Sequence, residues 1–441
     1  MKKKIISLLL SFTMIMSLTT VTGCFNTPND SSSSNSSESS NSEVGLGYVN
    51  NREEYFYGIQ ESMQECIAQD PMSSPEMTAK LAGAMGFKSY RFRMENVEVL
   101  YKDQSGFPQL NVKVAEEFHR YLDLLAEEGI TNILAQNTYF LQVGYDPGII
   151  AYPRPGTDEY LSFMDLVEES YILLAEEFPE ITYWQVGNEI NTDFYCNPVD
   201  GGAAYTLEEK AQIATDLMYY ANSGIKQSNP NAALVMPGLA NPNPEFCLQA
   251  IYENIASGEF PTGDAPTTNT DDYFDVISWH PYNWSDGLTP NYSEDSTFIE
   301  MQKLMYQIAI DYGDEGKKVI FTEFGFTNRG TPFNEDYTVE QIEELQKNNL
   351  SNALNAIYQY LPFVETVHIF RLFDWDTAVG EDGVESGATE IEAGFGLFTS
   401  PGVDETSLGP QPKKIGLELF KLINGSDADT TPLYQFYKGL K

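Results

Sequence analysis

Two stretches of this chain each read as a buried strand that delivers a glutamate near its carboxyl end. They are Thr182-Tyr183-Trp184-Gln185-Val186-Gly187-Asn188-Glu189 and Lys318-Val319-Ile320-Phe321-Thr322-Glu323-Phe324-Gly325. A carboxylate closing an apolar run is costly to desolvate, and a pair of them suits acid and base chemistry. Cleavage of a glycosidic bond uses such a pair: one carboxylic acid protonates the leaving oxygen, and one carboxylate attacks the sugar or activates water. Glu189 and Glu323 fit those two roles. The two must then hold opposite protonation states. Carboxyl groups about 5 to 5.5 Å apart would predict a double displacement with retention of configuration.

Beyond residue 50, short apolar runs alternate with longer amphipathic ones, the pattern of βα units around a parallel sheet. The predicted strands are Tyr55 to Gln60, Ser89 to Met94, Asn132 to Asn137, Tyr183 to Asn188, Ala233 to Pro237, Phe274 to His280, Val319 to Phe324 and Thr366 to Phe373. The predicted helices are Pro75 to Met85, Val112 to Glu128, Asp158 to Glu177, Leu207 to Gln227, Pro244 to Ser257, Thr297 to Tyr312, Val339 to Tyr360 and Lys413 to Ile423. Within the second helix Val112, Phe118, Leu122 and Leu125 recur at helical spacing with charged residues between them. Eight ordered units predict an α/β fold of the (β/α)₈ TIM-barrel type. No Gly-rich phosphate loop follows any strand, which disfavours a doubly wound sheet. In a barrel, strands four and seven bring Glu189 and Glu323 to its carboxyl-end face, across the lumen from each other. The long connections Ile190 to Thr206, Asn283 to Ser296 and Asp376 to Pro412 rise on that same face.

The residues around both glutamates resemble the clan A glycoside hydrolases, over most of the chain from about residue 52 to 426. Trp184 to Asn191 is similar to their Trp-x-x-x-Asn-Glu-Pro signature, with Ile190 where many members have Pro, and Ile320 to Gly325 is similar to their nucleophile strand. The resemblance implies that Glu189 is the acid/base, Glu323 the nucleophile and Asn188 a ligand of the sugar 2-hydroxyl. Gly86-Phe87-Lys88-Ser89-Tyr90-Arg91 resembles the second strand, whose Arg keeps the nucleophile ionised. That implies the role for Arg91, with Arg93 on the same strand face as its reserve. Trp279-His280-Pro281-Tyr282 resembles a His-x-Tyr of strand six, which implies His280 beside a sugar hydroxyl and Tyr282 donating to the nucleophile. Arg371-Leu372-Phe373-Asp374-Trp375 implies Trp375 at the end of strand eight as an aromatic platform. Gly394-Phe395-Gly396-Leu397-Phe398 followed by Gln411-Pro412-Lys413-Lys414 is similar to a run before the last helix in families 5 and 39. The implied substrate is a carbohydrate, with no cofactor and no protein partner.

Of the 441 residues, 25 are Lys or Arg and 65 Asp or Glu, a formal net charge of −40. Such a surface repels nucleic acid and anionic lipid and disfavours polyanionic substrates, so a neutral glycan is expected. Met1-Lys2-Lys3-Lys4 and the apolar run from Ile5 to Leu18 read as an export signal. Val21-Thr22-Gly23-Cys24 resembles the bacterial lipobox, implying cleavage before Cys24 and lipidation of its thiol. The expected organisation is a signal peptide over 1–23, a lipidated Cys and Ser/Asn-rich linker over 24–48, and the barrel over 49–441. The enzyme would then sit on the extracellular face of the bacterial cell membrane, touching it only through the lipid. Without that lipid it would be secreted.

Cys66, Cys196 and Cys247 are too few for a zinc site or a disulfide framework, and no metal site is expected. Asp374, Asp376, Glu381 and Asp382 lack the spacing of a calcium loop and read as a solvated charge run. His119 and His368 read as structural and Trp184 as barrel packing. Trp284, Tyr139 and Phe140 are candidates to line the cleft. With only three histidines, on separate elements, a metal-dependent barrel enzyme lacks its ligands. The competing function is a non-catalytic surface lipoprotein that binds glycan on the same barrel, against which the presence of both glutamates argues.

Overall fold

The computed structural model describes residues 52–61, 74–141, 150–282, 290–329, 337–375, 391–401 and 408–439. The predicted signal, the linker with Cys24, and Cys66, Trp284, Asp376, Glu381 and Asp382 lie outside the described residues.

Eight parallel strands form the expected barrel: β1 (Tyr57–Gln60), β2 (Ser89–Arg93), β3 (Asn132–Asn137), β4 (Tyr183–Val186), β5 (Ala233–Val235), β6 (Ile277–Trp279), β7 (Val319–Phe324) and β8 (Val364–Phe370). Their order in the sheet is β6-β7-β8-β1-β2-β3-β4-β5. The remaining seam, between β5 and β6, is closed by parallel bridges Val235 to Val276 and Leu239 to Trp279. Among the described residues, eight helices of three turns or more surround it: α1 (Pro75–Met85), α2 (Val112–Glu127), α3 (Asp158–Glu177), α4 (Leu207–Ser228), α5 (Pro244–Ser257), α6 (Thr297–Asp311), α7 (Val339–Tyr360) and α8 (Lys414–Asn424).

Local chemistry sets the helix bounds. Thr206 with Glu209 and Thr338 with Gln341 form reciprocal capping boxes at the starts of α4 and α7, satisfying backbone N–H groups that the helix leaves unpaired. Helix α2 buries Phe118, Tyr121, Leu122 and Leu125 on one stripe. The interior has two apolar layers. Leu134, Tyr183, Ala233, Val235, Val276 and Ile320 form a small separate cluster contributed by the strands, while the large cluster fills the space between strands and helices. Trp184 belongs to that outer layer, edge-on to Tyr171 of α3 at 5.9 Å, rather than to the barrel packing expected.

Five strands, β2, β4, β5, β6 and β8, end earlier than their apolar runs suggest, and the endings of β4 and β8 shape the mouth. Strand β4 stops at Val186 because Gly187 and Glu189 take left-handed backbone angles, φ 80° and 44°. Strand β8 stops at Phe370 because the chain beyond it leaves the barrel to pair with residues 395–398. Leu397 N–H donates to Arg371 O at 3.0 Å and Phe398 N–H to Leu372 O at 2.9 Å.

Candidate active site

The mouth is built upward from a buried polar layer. Arg91, Gln185, Ser278 and Thr322 come from β2, β4, β6 and β7, and all four are buried. Arg91 Nε donates to Gln185 Oε1 at 2.8 Å. The Gln185 amide donates in turn to Thr322 Oγ1 at 3.2 Å and to Met236 O at 3.3 Å. Ser278 Oγ also donates to Met236 O, at 2.8 Å. Side chains with so many fixed partners cannot rotate freely, so the layer is a rigid floor.

Glu323 stands on this floor. Arg91 Nη1 meets its Oε1 at 2.7 Å, Gln60 Nε2 donates to Oε1 at 3.3 Å, and the Tyr282 hydroxyl donates to Oε2 at 3.3 Å. Burial alone would raise the carboxyl's proton affinity. The charge of the His280 ring when protonated, the Arg91 guanidinium and the hydrogen bonds from Arg91 and Gln60 outweigh it and hold Glu323 below its ordinary value. Burial, then the charges of Glu323 and Glu189, push the Tyr282 phenol well above its usual range, so it stays a donor. Arg91 is 1% exposed, and removing a buried charge's partner costs about 3 to 5 kcal/mol.

Glu189 is placed by the end of β5. Its N–H donates to Gly238 O at 2.9 Å, and its own carbonyl accepts from Thr192 N–H at 2.8 Å, which fixes the tight turn. A left-handed φ at a glutamate costs on the order of 1 to 3 kcal/mol and is the kind of strain that collects at functional sites. The result is a side chain aimed at His280, whose Nδ1 lies 2.7 Å from Glu189 Oε1 and 3.8 Å from Glu323 Oε2. The other ring nitrogen lies 3.1 Å from Thr322 Oγ1. One atom each of Glu189, His280 and Glu323 lie within 4.8 Å of one another. These three could also coordinate a cation, although the same atoms already engage one another and, at Glu323, Arg91 and Tyr282.

No protein-family model matches the sequence, and no curated protein does. Solved structures do. A family 39 glycoside hydrolase from Bacteroides cellulosilyticus superposes with a TM-score of 0.53 at 17% identity, over 85% of this chain and 66% of that one. A monomeric β-xylosidase from Caulobacter crescentus gives 0.56 at 14%, over 85% and 68%. A family 5 broad-specificity endoglucanase from Clostridium acetobutylicum gives 0.51 at 10%, over 86% and 100%. The barrel fold is that of glycoside hydrolases. This chain spans about two thirds of the length of the first two enzymes.

Against this geometry the predicted residues sort clearly. Glu189, Glu323, Arg91, His280, Tyr282 and Asn188 come together at one mouth. Asn188 accepts from Arg91 Nη2 at 2.9 Å through Oδ1, which leaves its amide NH₂ as the group to donate to a ligand. His280 contacts Glu189 through Nδ1. The reserve cation, Arg93, turns away to Glu95, at 2.8 Å, and lies over the Tyr139 ring. Phe140 is buried against Tyr152 and Phe163 and lines no cleft. His119 sits between Glu177 and Glu180, and His368 is buried against Ser89.

Trp375, expected at the end of β8, lies five residues beyond it. The Arg371 guanidinium stacks on it at 3.9 Å, and that guanidinium is itself paired with buried Glu61. The aromatic ring that β8 does present, level with Gln60, is Phe370, half-buried and edge-on to both Trp375 and Phe395. Asp374 is likewise no solvated charge. It is buried, paired with Lys413 at 2.8 Å, and accepts from Gly396 N–H. Gln60, Gln185, Thr322 and Gly238 were missed. The first three carried one usable signal, a polar side chain inside or closing an otherwise apolar strand.

Proposed function

We propose that this protein is a retaining β-glycosidase acting on a neutral glycan, with Glu189 as acid/base and Glu323 as nucleophile. The observation that carries the reading is the pairing itself: two strand-end carboxylates with an oxygen of each within 4.8 Å of the other, one ringed by donors and the other bonded to an imidazole. That closeness favours the about 5 to 5.5 Å carboxyl separation of retaining enzymes over the about 6.5 to 9.5 Å of inverting ones.

In the first step Glu323 attacks the anomeric carbon while Glu189 gives its proton to the departing oxygen. In the second, Glu189 takes a proton from water, which displaces Glu323 from the sugar. The His280 ring can serve both protonation states of Glu189 without moving. Beside the carboxylate, Nδ1–H donates to Glu189 and the Thr322 hydroxyl donates to Nε2. Beside the carboxylic acid the same bonds persist, because the acid carries its transferable proton on Oε2 while Oε1 still accepts from Nδ1–H. Asn188, with its remaining NH₂, is placed to grip the sugar 2-hydroxyl, a contact that strengthens as charge develops. Phe370, edge-on to Trp375, offers the ring face on which a sugar can rest.

The test is a panel of aryl β-glycosides followed by proton NMR of the first-formed product. The expected product is the β-anomer. Initial formation of the α-anomer would overturn the retaining assignment, and glycan binding with no turnover would favour the non-catalytic lipoprotein.

The export pattern and Val21-Thr22-Gly23-Cys24 support attachment to the extracellular face of a bacterial membrane through a lipid on Cys24. Cys24→Ala is expected to move the protein from the membrane fraction to the medium and to abolish incorporation of labelled fatty acid. Unchanged labelling would refute that attachment.

A further inference from the structure

Phe194 and Phe246 are 74% and 59% exposed. A single exposed ring on a surface needs no explanation. These two, however, emerge from adjoining segments on the catalytic face, Phe194 in the connection after β4 and Phe246 in the first turn of α5, after β5. The segments are laced together. Asn191 donates through Nδ2 to Ala240 O at 2.5 Å and Pro242 O at 3.3 Å and accepts from Ala240 N–H at 3.0 Å. Lys210 Nζ reaches up from α4 to Asn191 O at 3.3 Å and Asp193 Oδ1 at 2.6 Å. Cys196, two residues after Phe194, and Cys247, next to Phe246, are both buried, and after burial the charge of Lys210 is the largest influence on each thiol.

The position relative to the chemistry is also fixed. Phe194 is five residues beyond Glu189, at most roughly 17 Å even if extended, and the turn from Glu189 to Thr192 shortens that span. An acid must stand beside the oxygen it protonates, so the leaving group lies on the Glu189 side of the mouth, away from Glu323. The Phe194 ring is braced edge-on by Tyr195 at 4.7 Å, which limits its rotation and leaves its surface open.

We propose that Phe194 and Phe246 form a leaving-group platform for further sugar units, so that the substrate is an extended neutral polysaccharide bound across the mouth and cut internally. This rests on the assignment of Glu189 as the acid. Apolar ring faces suit the C–H surfaces of uncharged sugars, and the net charge of −40 disfavours anionic chains.

Glu323→Gln, which cannot turn substrate over, is run in native gels containing xylan, glucomannan, galactan or mixed-linkage β-glucan, alone and with Phe194→Ala or Phe246→Ala added. Aryl β-glycoside turnover by the unaltered protein is measured alongside. The expected result is retardation by at least one of these polysaccharides, weakened about tenfold by either phenylalanine change at unchanged melting temperature. Retardation with no turnover by the unaltered protein would remove the glycosidase and with it the leaving-group role of the two rings, leaving them as a glycan-binding surface only. Aryl glycoside turnover without retardation by any polysaccharide, or retardation that neither phenylalanine change weakens, would overturn the platform while leaving the glycosidase intact.

Discussion

Glu323→Gln is expected to lower kcat for every glycoside on the order of 10⁴-fold or more, because no other group stands where the covalent bond to the sugar must form. The amide keeps the shape of the carboxylate and can still accept from Arg91, so the loss is one of charge and nucleophilicity. Arg91 is then a buried cation without its counter-ion, and a lower melting temperature should accompany the lost activity. Glu189→Gln should behave differently. Loss of the acid hurts substrates whose leaving group needs a proton, by about 10² to 10⁴-fold, and spares the attack on dinitrophenyl glycosides, whose leaving group departs unaided. Azide should then restore turnover of those activated substrates in Glu189→Gln, giving a β-glycosyl azide. Equal losses across leaving groups in both variants would remove the separate roles.

The same surroundings set a pH dependence. Glu323 holds its proton less tightly folded than it would unfolded, despite burial, because of His280, Arg91 and Gln60. Its ionised form therefore contributes stability that is present above the unfolded carboxylate value of about 4.3 and is lost as pH falls through the lower folded value. The acid limb of kcat/KM should accordingly lie below that of an ordinary glutamate, and Glu323→Gln should flatten the acid side of the stability profile.

What the sequence made legible follows from where the information is local. Helices α1, α3, α5 and α7 have the predicted bounds because Pro75, Thr157, Pro244 and Thr338 mark their starts with chemistry that acts within a few residues. Glu189 and Glu323 could be read because a charge that closes an apolar run is conspicuous in one dimension. The end of β8 could not be read. Ile369-Phe370-Arg371-Leu372-Phe373 is one apolar run broken by an arginine. The strand stops where residues 395–398 capture the backbone, a partner some 25 residues away, and Arg371 is neutralised by Glu61 more than 300 residues away. The misplacement of Trp375 and of the acidic Asp374 both descend from that distant pairing. Gly238 is another such position: nothing in Met236-Pro237-Gly238-Leu239 announces that the missing side chain makes room for a histidine from the next strand.

Gly238→Ala is therefore expected to disable the acid/base without touching it. A Cβ at this position would overlap His280 Nε2 and stand 2.7 Å from Thr322 Oγ1. The backbone tolerates alanine there, since its φ is not left-handed, so the strain falls on the contact rather than on the fold. The imidazole is fully enclosed and has no outward path. It must shift along the ring plane or tilt, and either motion moves Nδ1 off Glu189. Overpacking of this kind costs about 1 to 3 kcal/mol, which the barrel can bear. The kinetic loss should be larger, about 10² to 10³-fold in kcat/KM for poor leaving groups and far less for dinitrophenyl glycosides, the signature of a misplaced acid. A double-mutant cycle separates this from general damage. With His280→Ala already present the Cβ has no ring to displace, so Gly238→Ala should add less than about threefold, whereas independent sites would add in full. Additive losses would mean that Gly238 supports the mouth by some route other than His280, and Glu189 would then owe its aim to the Gly238 carbonyl alone.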